Sequence, residues 1–194
     1  MNVDGKRLAS GVYESLRTRV RSLSRAPRLT IVTASPNLET KKYLALKERR
    51  AAEVGIETNV IVLAESATTE NVVTLVANEA ARADALIVQL PLPPSIDADR
   101  VLAAVPVSRD ADGLNPESAV LSPVVGAIRE ILARHGVLPQ GKRVAVVGEG
   151  RLVGRPASAW FRSVGAQVRV LTKDTADIEA ETRDADIIVS GAGV

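Results

Sequence analysis

The sequence predicts a parallel α/β fold divided into two lobes. Three observations carry that expectation. Strand-like and helix-like segments alternate along the chain, the order that parallel sheets with crossover helices require. The run RVAVV at 143–147 is apolar and largely β-branched, which suits a strand covered on both faces. Gly148, Gly150 and Gly154 follow at once and lead into a helical segment. That strand–turn–helix layout aims backbone N–H groups and a positive helix end at a phosphate.

In order, residues 4–23 form an amphipathic helix with Leu8, Val12, Leu16, Val20 and Leu23 on one stripe. A strand follows at 28–34, then a helix over 39–54 that Gly55 closes. A second strand covers 57–63, and Thr68 or Thr69 caps a helix reaching about position 82. The third strand, 85–89, runs into LPLPP, followed by a helical stretch at 97–104 and a polar loop at 109–116. A helix at 123–135 marks the boundary between the lobes, with a cleft expected between them. Beyond the strand at 143–147, Pro156 is expected at the first helical position, where its missing N–H costs nothing. That helix ends near position 164, and a strand at 167–171, a short helix near Ile178 and a strand at 186–190 complete the alternation.

A chain of 194 residues can bury a sizeable core. Its 25 basic and 23 acidic side chains leave a net charge of +2, and the basic residues are scattered. With one Phe, one Trp and two Tyr, nothing reads as a nucleic-acid platform. The lack of cysteine excludes disulfides and thiolate metal sites and fits a reducing compartment. The opening MNVDGKRLASGVYESL has no apolar signal core, and no run approaches membrane-spanning length. A cytoplasmic protein without a nucleic-acid or membrane partner is expected.

Four sets of residues could carry chemistry. Tyr43 and Lys47 lie four apart in a helix and share a face, which also describes an ordinary solvated pair. Short-chain dehydrogenases use a YxxxK pair too, but after their nucleotide loop, whereas here it comes before. Gln89 ends a strand, where open α/β sheets bind ligands, and the prolines after it stiffen the loop. Asp110 and Asp112 in RDADGLN lack the rest of a calcium loop, so no metal is expected, and an acceptor for ligand N–H groups is the better reading. His135, the one histidine, sits at a helix end as a favourable charge. The glycine run spaces as GxGxxxG, one residue longer than the usual dinucleotide fingerprint, and is also compatible with a tight turn that binds nothing.

The order of these pieces resembles one family. YxxxK, then VQLPLP, then a DxDG loop, then GxGxxxGxP after a buried strand is similar to the methylenetetrahydrofolate dehydrogenase/cyclohydrolase proteins, the bifunctional FolD family. The opening VDGKRLA and the later ADIIVSGAG extend the likeness over nearly the whole chain. The resemblance implies a folate-binding catalytic domain over 1–121 and a Rossmann-like NAD(P)-binding domain over 122–194, C-terminally shortened. It also implies a homodimer. By resemblance, Lys47 is the catalytic lysine, Tyr43 stacks on the folate, Gln89 orients the lysine, and Asp112 holds the pterin, with Leu90 and Pro91 beside it.

In such a family hydride passes from methylenetetrahydrofolate to a nicotinamide across the cleft from the lysine. Water then opens the methenyl product to 10-formyltetrahydrofolate. Glutamine bonds a lysine without adding a charge that would hold its proton, and a carboxylate there would work against release. Gly148, Glu149, Gly150, Arg151, Val153, Gly154, Arg155 and Pro156, with Thr172 and Lys173 past the next strand, would bind the cofactor.

Some positions depart from the family pattern. Gly148, Glu149 and Gly150 stand where GRS or GAS is common, and a carboxylate there repels a 2′-phosphate. Lys173 could pair with that phosphate, so NADP is expected as cofactor, with NAD open. PCTPxG is replaced by LSPVVG at 121–126, and Thr40 stands where a serine often precedes the tyrosine. Two other readings stay open: a two-lobed small-acid dehydrogenase, and a degenerate folate- or nucleotide-binding module without turnover.

Overall fold

A computed structural model describes residues 2–34 and 37–192, apart from the side chain of Glu39. The chain divides into two compact units, Met1–Val120 and Leu121–Val194. Gly193, the last residue of ADIIVSGAG, lies outside the described residues.

The first unit runs α1 (Gly5–Arg21), β1 (Arg28–Thr33), α2 (Leu38–Val54), β2 (Glu57–Val62), α3 (Thr69–Ala80), β3 (Ala85–Gln89) and α4 (Ala98–Ala103). Its three strands pair in parallel in the order β2-β1-β3. Alternation along the strands sends side chains to both faces. Val32, Leu86 and Val88 meet Val72 and Val76 of α3 and Val101 and Leu102 of α4 on one face. Ile31 and Ile87 meet Leu44 of α2 on the other. Both faces are therefore covered, as parallel sheets require.

Local signals explain the helix ends. Asp4 accepts the N–H groups of Lys6 and Arg7 at the start of α1. Thr68 and Asn71 form a reciprocal capping box on α3, and Gly55 closes α2 in the left-handed region at φ 85°. The expected stripe on α1 shifts slightly. Val12 is exposed, and Leu23 lies past the helix end and is exposed too. Tyr13 turns inward instead, with the Arg50 guanidinium 5.0 Å from its ring centroid.

The second unit runs α5 (Pro123–Arg134), β4 (Arg143–Val147), α6 (Gly154–Ser163), β5 (Gln167–Leu171), α7 (Ile178–Arg183) and β6 (Ile187–Ser190). Its sheet is again parallel, in the order β5-β4-β6. Val144, Val146 and Phe161 form its core, with Ile128 and Leu132 of α5 packed against them. Burying a side chain such as Phe161 is worth about 1.5–3 kcal/mol. Helix α6 begins at Gly154, so Pro156 occupies its third position rather than its first. The whole first turn lacks intrahelical N–H partners, which is why proline is tolerated there too.

An aspartate locks the amino end of each sheet. Asp84, just before β3, accepts the Arg28 N–H at 2.8 Å and both ends of the Arg25 guanidinium at 2.6 Å. Asp186, just before β6, accepts the Arg143 N–H at 2.9 Å. No helix among the described residues is long and apolar enough to cross a membrane.

Candidate active site

Among the described residues of α2, Thr40, Leu44, Ala51 and Val54 are buried, and Lys47 lies on the same stripe, midway along it. The helix thus points a lysine inward where the pattern calls for an apolar residue. Lys47 is half-buried, and its Nζ donates to Gln89 Oε1 at 3.0 Å. Gln89 reaches it because β3 ends there, with the side chain leaving the carboxyl edge of the sheet. The amide is oriented, since Gln89 Nε2 donates to the Leu90 carbonyl at 2.8 Å.

A third group arrives from the loop after α4. Asp112 Oδ2 stands 3.7 Å from Lys47 Nζ, with 18% of its side chain exposed. The loop is not free, because it adds a bridge to the sheet. Leu86 N–H donates to the Arg109 carbonyl at 2.7 Å, and Ala111 N–H to the Leu86 carbonyl at 3.1 Å. Burial pushes the Asp112 carboxyl above its ordinary value; the Lys47 charge opposes the shift and Asp110 adds to it.

Lys47, Gln89 and Asp112 are therefore brought together. Tyr43, one turn before Lys47, is 64% exposed and presents its ring to solvent beside the cluster's helix. Leu90 is half-buried and Pro91 exposed, on the loop that leaves β3 through a cis peptide. A half-buried lysine held by an amide and a carboxyl, below an exposed tyrosine, can take or give one proton next to a flat polar ligand. The sequence named no carboxylate as a partner of the lysine and did not mark Asn115. Asp110, expected with Asp112 as an acceptor for ligand N–H groups, is buried and accepts the Asn115 N–H instead, which ties the 109–116 loop down. The signal available was the pair of polar residues flanking Asp112 and Gly113 in DADGLN.

In the second unit the expected cofactor residues gather at the carboxyl ends of β4 and β5. Gly148 leaves β4 at φ 91°, and its N–H donates to the Leu171 carbonyl at 2.8 Å, which sets Thr172 beside the turn. A Cβ on Gly148 would stand 3.1 Å from the Gly191 carbonyl carbon, and one on Gly154 only 2.1 Å from the Gly148 oxygen. Glycine is thus required for α6 to approach the turn. Gly150 has open space around it, and Val153 gives α6 no side-chain cap. A close backbone approach, an open glycine and an uncapped helix end fit a pyrophosphate. Arg155 N–H donates to the Gly150 carbonyl at 3.1 Å and so fixes the loop. Glu149 and Lys173 are both exposed, while Arg151, Val153 and Pro156 are half-buried.

Comparison with known proteins agrees with this division. Residues 3–112 match the model of the tetrahydrofolate dehydrogenase/cyclohydrolase catalytic domain, and residues 122–194 that of its NAD(P)-binding domain. The chain is 33% identical to the bifunctional protein FolD of Halothermothrix orenii, an alignment covering 98% of this chain and 73% of that protein. With FolD of Thermus thermophilus the identity is 34%, covering 98% and 72%. Among solved structures, the Trypanosoma brucei methylenetetrahydrofolate dehydrogenase-cyclohydrolase, complexed with NADP and inhibitor, superposes with a TM-score of 0.90 at 30% identity, covering 100% of this chain and 72% of that one. The Campylobacter jejuni FolD enzyme gives 0.90 at 28% identity, covering 98% and 73%. The two domain models account for almost the whole chain, and the chain belongs to the tetrahydrofolate dehydrogenase/cyclohydrolase family.

Proposed function

We propose that the chain oxidises 5,10-methylenetetrahydrofolate to 5,10-methenyltetrahydrofolate with NADP, and hydrolyses that product to 10-formyltetrahydrofolate. The observation that carries this is Lys47 turned inward on α2 and bonded to Gln89 at 3.0 Å, with Asp112 at 3.7 Å. When bound, NADP supplies the hydride acceptor. Hydrolysis adds water to the methenyl carbon, breaks its bond to one ring nitrogen and releases one proton. Lys47 Nζ handles that proton, and Gln89 keeps the amine aimed without adding charge. Tyr43 offers a ring face for the folate, Leu90 and Pro91 border it, and Asp112 accepts from the pterin's N–H donors.

The glycine turn, Arg151, Val153, Arg155 and Pro156 seat the dinucleotide. Lys173 and Thr172 follow β5 beside that turn and support the 2′-phosphate of NADP, against the opposing charge of Glu149. The family resemblance supports a homodimer, which sedimentation would test. The cysteine-free composition supports a cytoplasmic enzyme, whose product serves one-carbon transfer in purine biosynthesis.

The deciding experiment is hydrolysis of methenyltetrahydrofolate, followed as loss of near-ultraviolet absorbance. Lys47→Met should lower the rate about 100- to 10,000-fold while folate still binds. Hydrolysis unchanged by Lys47→Met would remove the lysine from the mechanism. A folded parent chain no faster than buffer would leave a binding module.

A further inference from the structure

Asp110 is a buried carboxyl that the chemistry above does not use: it is 6% exposed and lies two positions before Asp112. Its Oδ2 accepts the Asn115 N–H at 2.9 Å, closing a ring around Ala111, Asp112, Gly113 and Leu114. Asn115, 9% exposed, is pinned in turn. Its Nδ2 donates to the Ala103 carbonyl at 3.2 Å and the Val105 carbonyl at 2.8 Å, at the end of α4. Its Oδ1 accepts the Glu117 N–H at 2.7 Å. On the other side of Asp112, the hydrogen bonds of Arg109 and Ala111 to Leu86 fasten the loop to β3. Gly113, at φ 62°, supplies the left-handed turn inside the ring.

Asp112 therefore rides on a short span fastened at both ends, to the central sheet and to α4. A buried polar network in which every amide group is used holds one geometry and costs heavily when a member is lost. We propose that Asp110 and Asn115 are positioning residues that hold Asp112 toward Lys47 and the folate ring. The proposal rests on the folate reading above. Asp110 acts through the ring it closes.

The test is methenyltetrahydrofolate hydrolysis by the full chain, with thermal unfolding recorded for each variant. Loosening a group that binds ground state and transition state alike raises KM and spares kcat. Asp110→Ala and Asn115→Ala should each raise KM about fivefold or more, with kcat within about twofold. Asp110→Asn keeps an acceptor for the Asn115 N–H and should bring KM back to within about twofold of the parent. A purely structural role would reduce the amount of folded enzyme, lowering kcat at parental KM, and that result overturns the proposal. Parental KM in folded Asp110→Ala overturns it too. If Asp110→Ala does not fold, Asn115→Ala decides by the same criterion; failure of both to fold makes the pair a folding element and ends the proposal. A folded parent that does not hydrolyse the substrate defeats the folate reading instead. The clamp is then judged by carbon NMR of the Asp112 carboxyl, whose resonance should move in Asn115→Ala, a change that leaves the Asp110 charge in place; an unmoved resonance rejects it.

Discussion

Lys47 and Gln89 lie 42 positions apart in the chain, yet Lys47 Nζ donates to Gln89 Oε1 across 3.0 Å. The contact joins the inward stripe of α2 to the carboxyl edge of β3. It also has a fixed sense, because the other end of the Gln89 amide is occupied by the Leu90 carbonyl.

That sense makes Gln89→Glu informative. A carboxylate in place of the amide oxygen holds the proton on Lys47. Hydrolysis of methenyltetrahydrofolate should fall about tenfold near neutral pH and recover as pH rises. Gln89→Leu removes the aim without adding charge, so its loss should be independent of pH. Profiles of matching shape for the two variants would argue against an orienting amide.

Two kinds of carboxyl give stability opposite dependence on pH. Asp84 and Asp186 are held below the ordinary 3.8, chiefly by their hydrogen-bonded arginines Arg25 and Arg143. Their contribution is present above that ordinary value and is lost as acid protonates them. Asp84→Asn should therefore melt below the parent at neutral pH and converge with it in acid, a modest effect because the pair is solvent-screened. Asp112 is raised by burial, so the folded state holds its proton more tightly than the unfolded chain. Stability is full below 3.8 and falls as pH climbs toward the raised value. Asp112→Asn should melt above the parent at neutral pH while folate binding weakens. Thermal unfolding across pH separates the two cases.

Gly154→Ala places a Cβ where the Gly148 oxygen stands, 2.1 Å away, with backbone as the obstacle. The variant should lose about 1–3 kcal/mol in stability, as overpacking does. It should also lose dinucleotide affinity, since α6 must retreat from the turn. Gly150→Ala meets nothing within 4 Å and should melt close to the parent. Melting curves with and without NADPH report both effects.

Selection between NADP and NAD should follow the two exposed charges. Glu149→Arg should favour NADP over NAD by about tenfold, and Lys173→Ala should disfavour it similarly, the range of one charge-assisted hydrogen bond. Titration with each reduced dinucleotide gives the ratio. Salt should weaken both effects.

The parallel alternation was legible because the strands are short and rich in apolar or β-branched residues, alternating with polar ones in β2 and β5, and because helix ends carry caps or stops. Thr68, Asp97 and Gly55 mark such ends by side chain or by φ. Tyr43, Lys47 and Gln89 could be picked out by spacing and by position at a strand end. The meeting of Asp112 with Lys47 could not, because it depends on the loop bridging back to Leu86, a contact with no periodicity to announce it. The early start of α6 was hidden for a related reason. Proline is acceptable throughout a first turn, so Pro156 bounds the helix start without fixing it.

The paired aspartates that lock β1 and β4 sit at the amino ends of their sheets. Gln89, Gly148 and Thr172 all leave from the opposite, carboxyl ends. Anchorage and chemistry are thus separated along the strand axis in each unit. Thermal tolerance becomes a property that can be engineered on its own: ion pairs can be reinforced around Arg25 and Arg143 without redrawing the proton-handling or dinucleotide-holding ends.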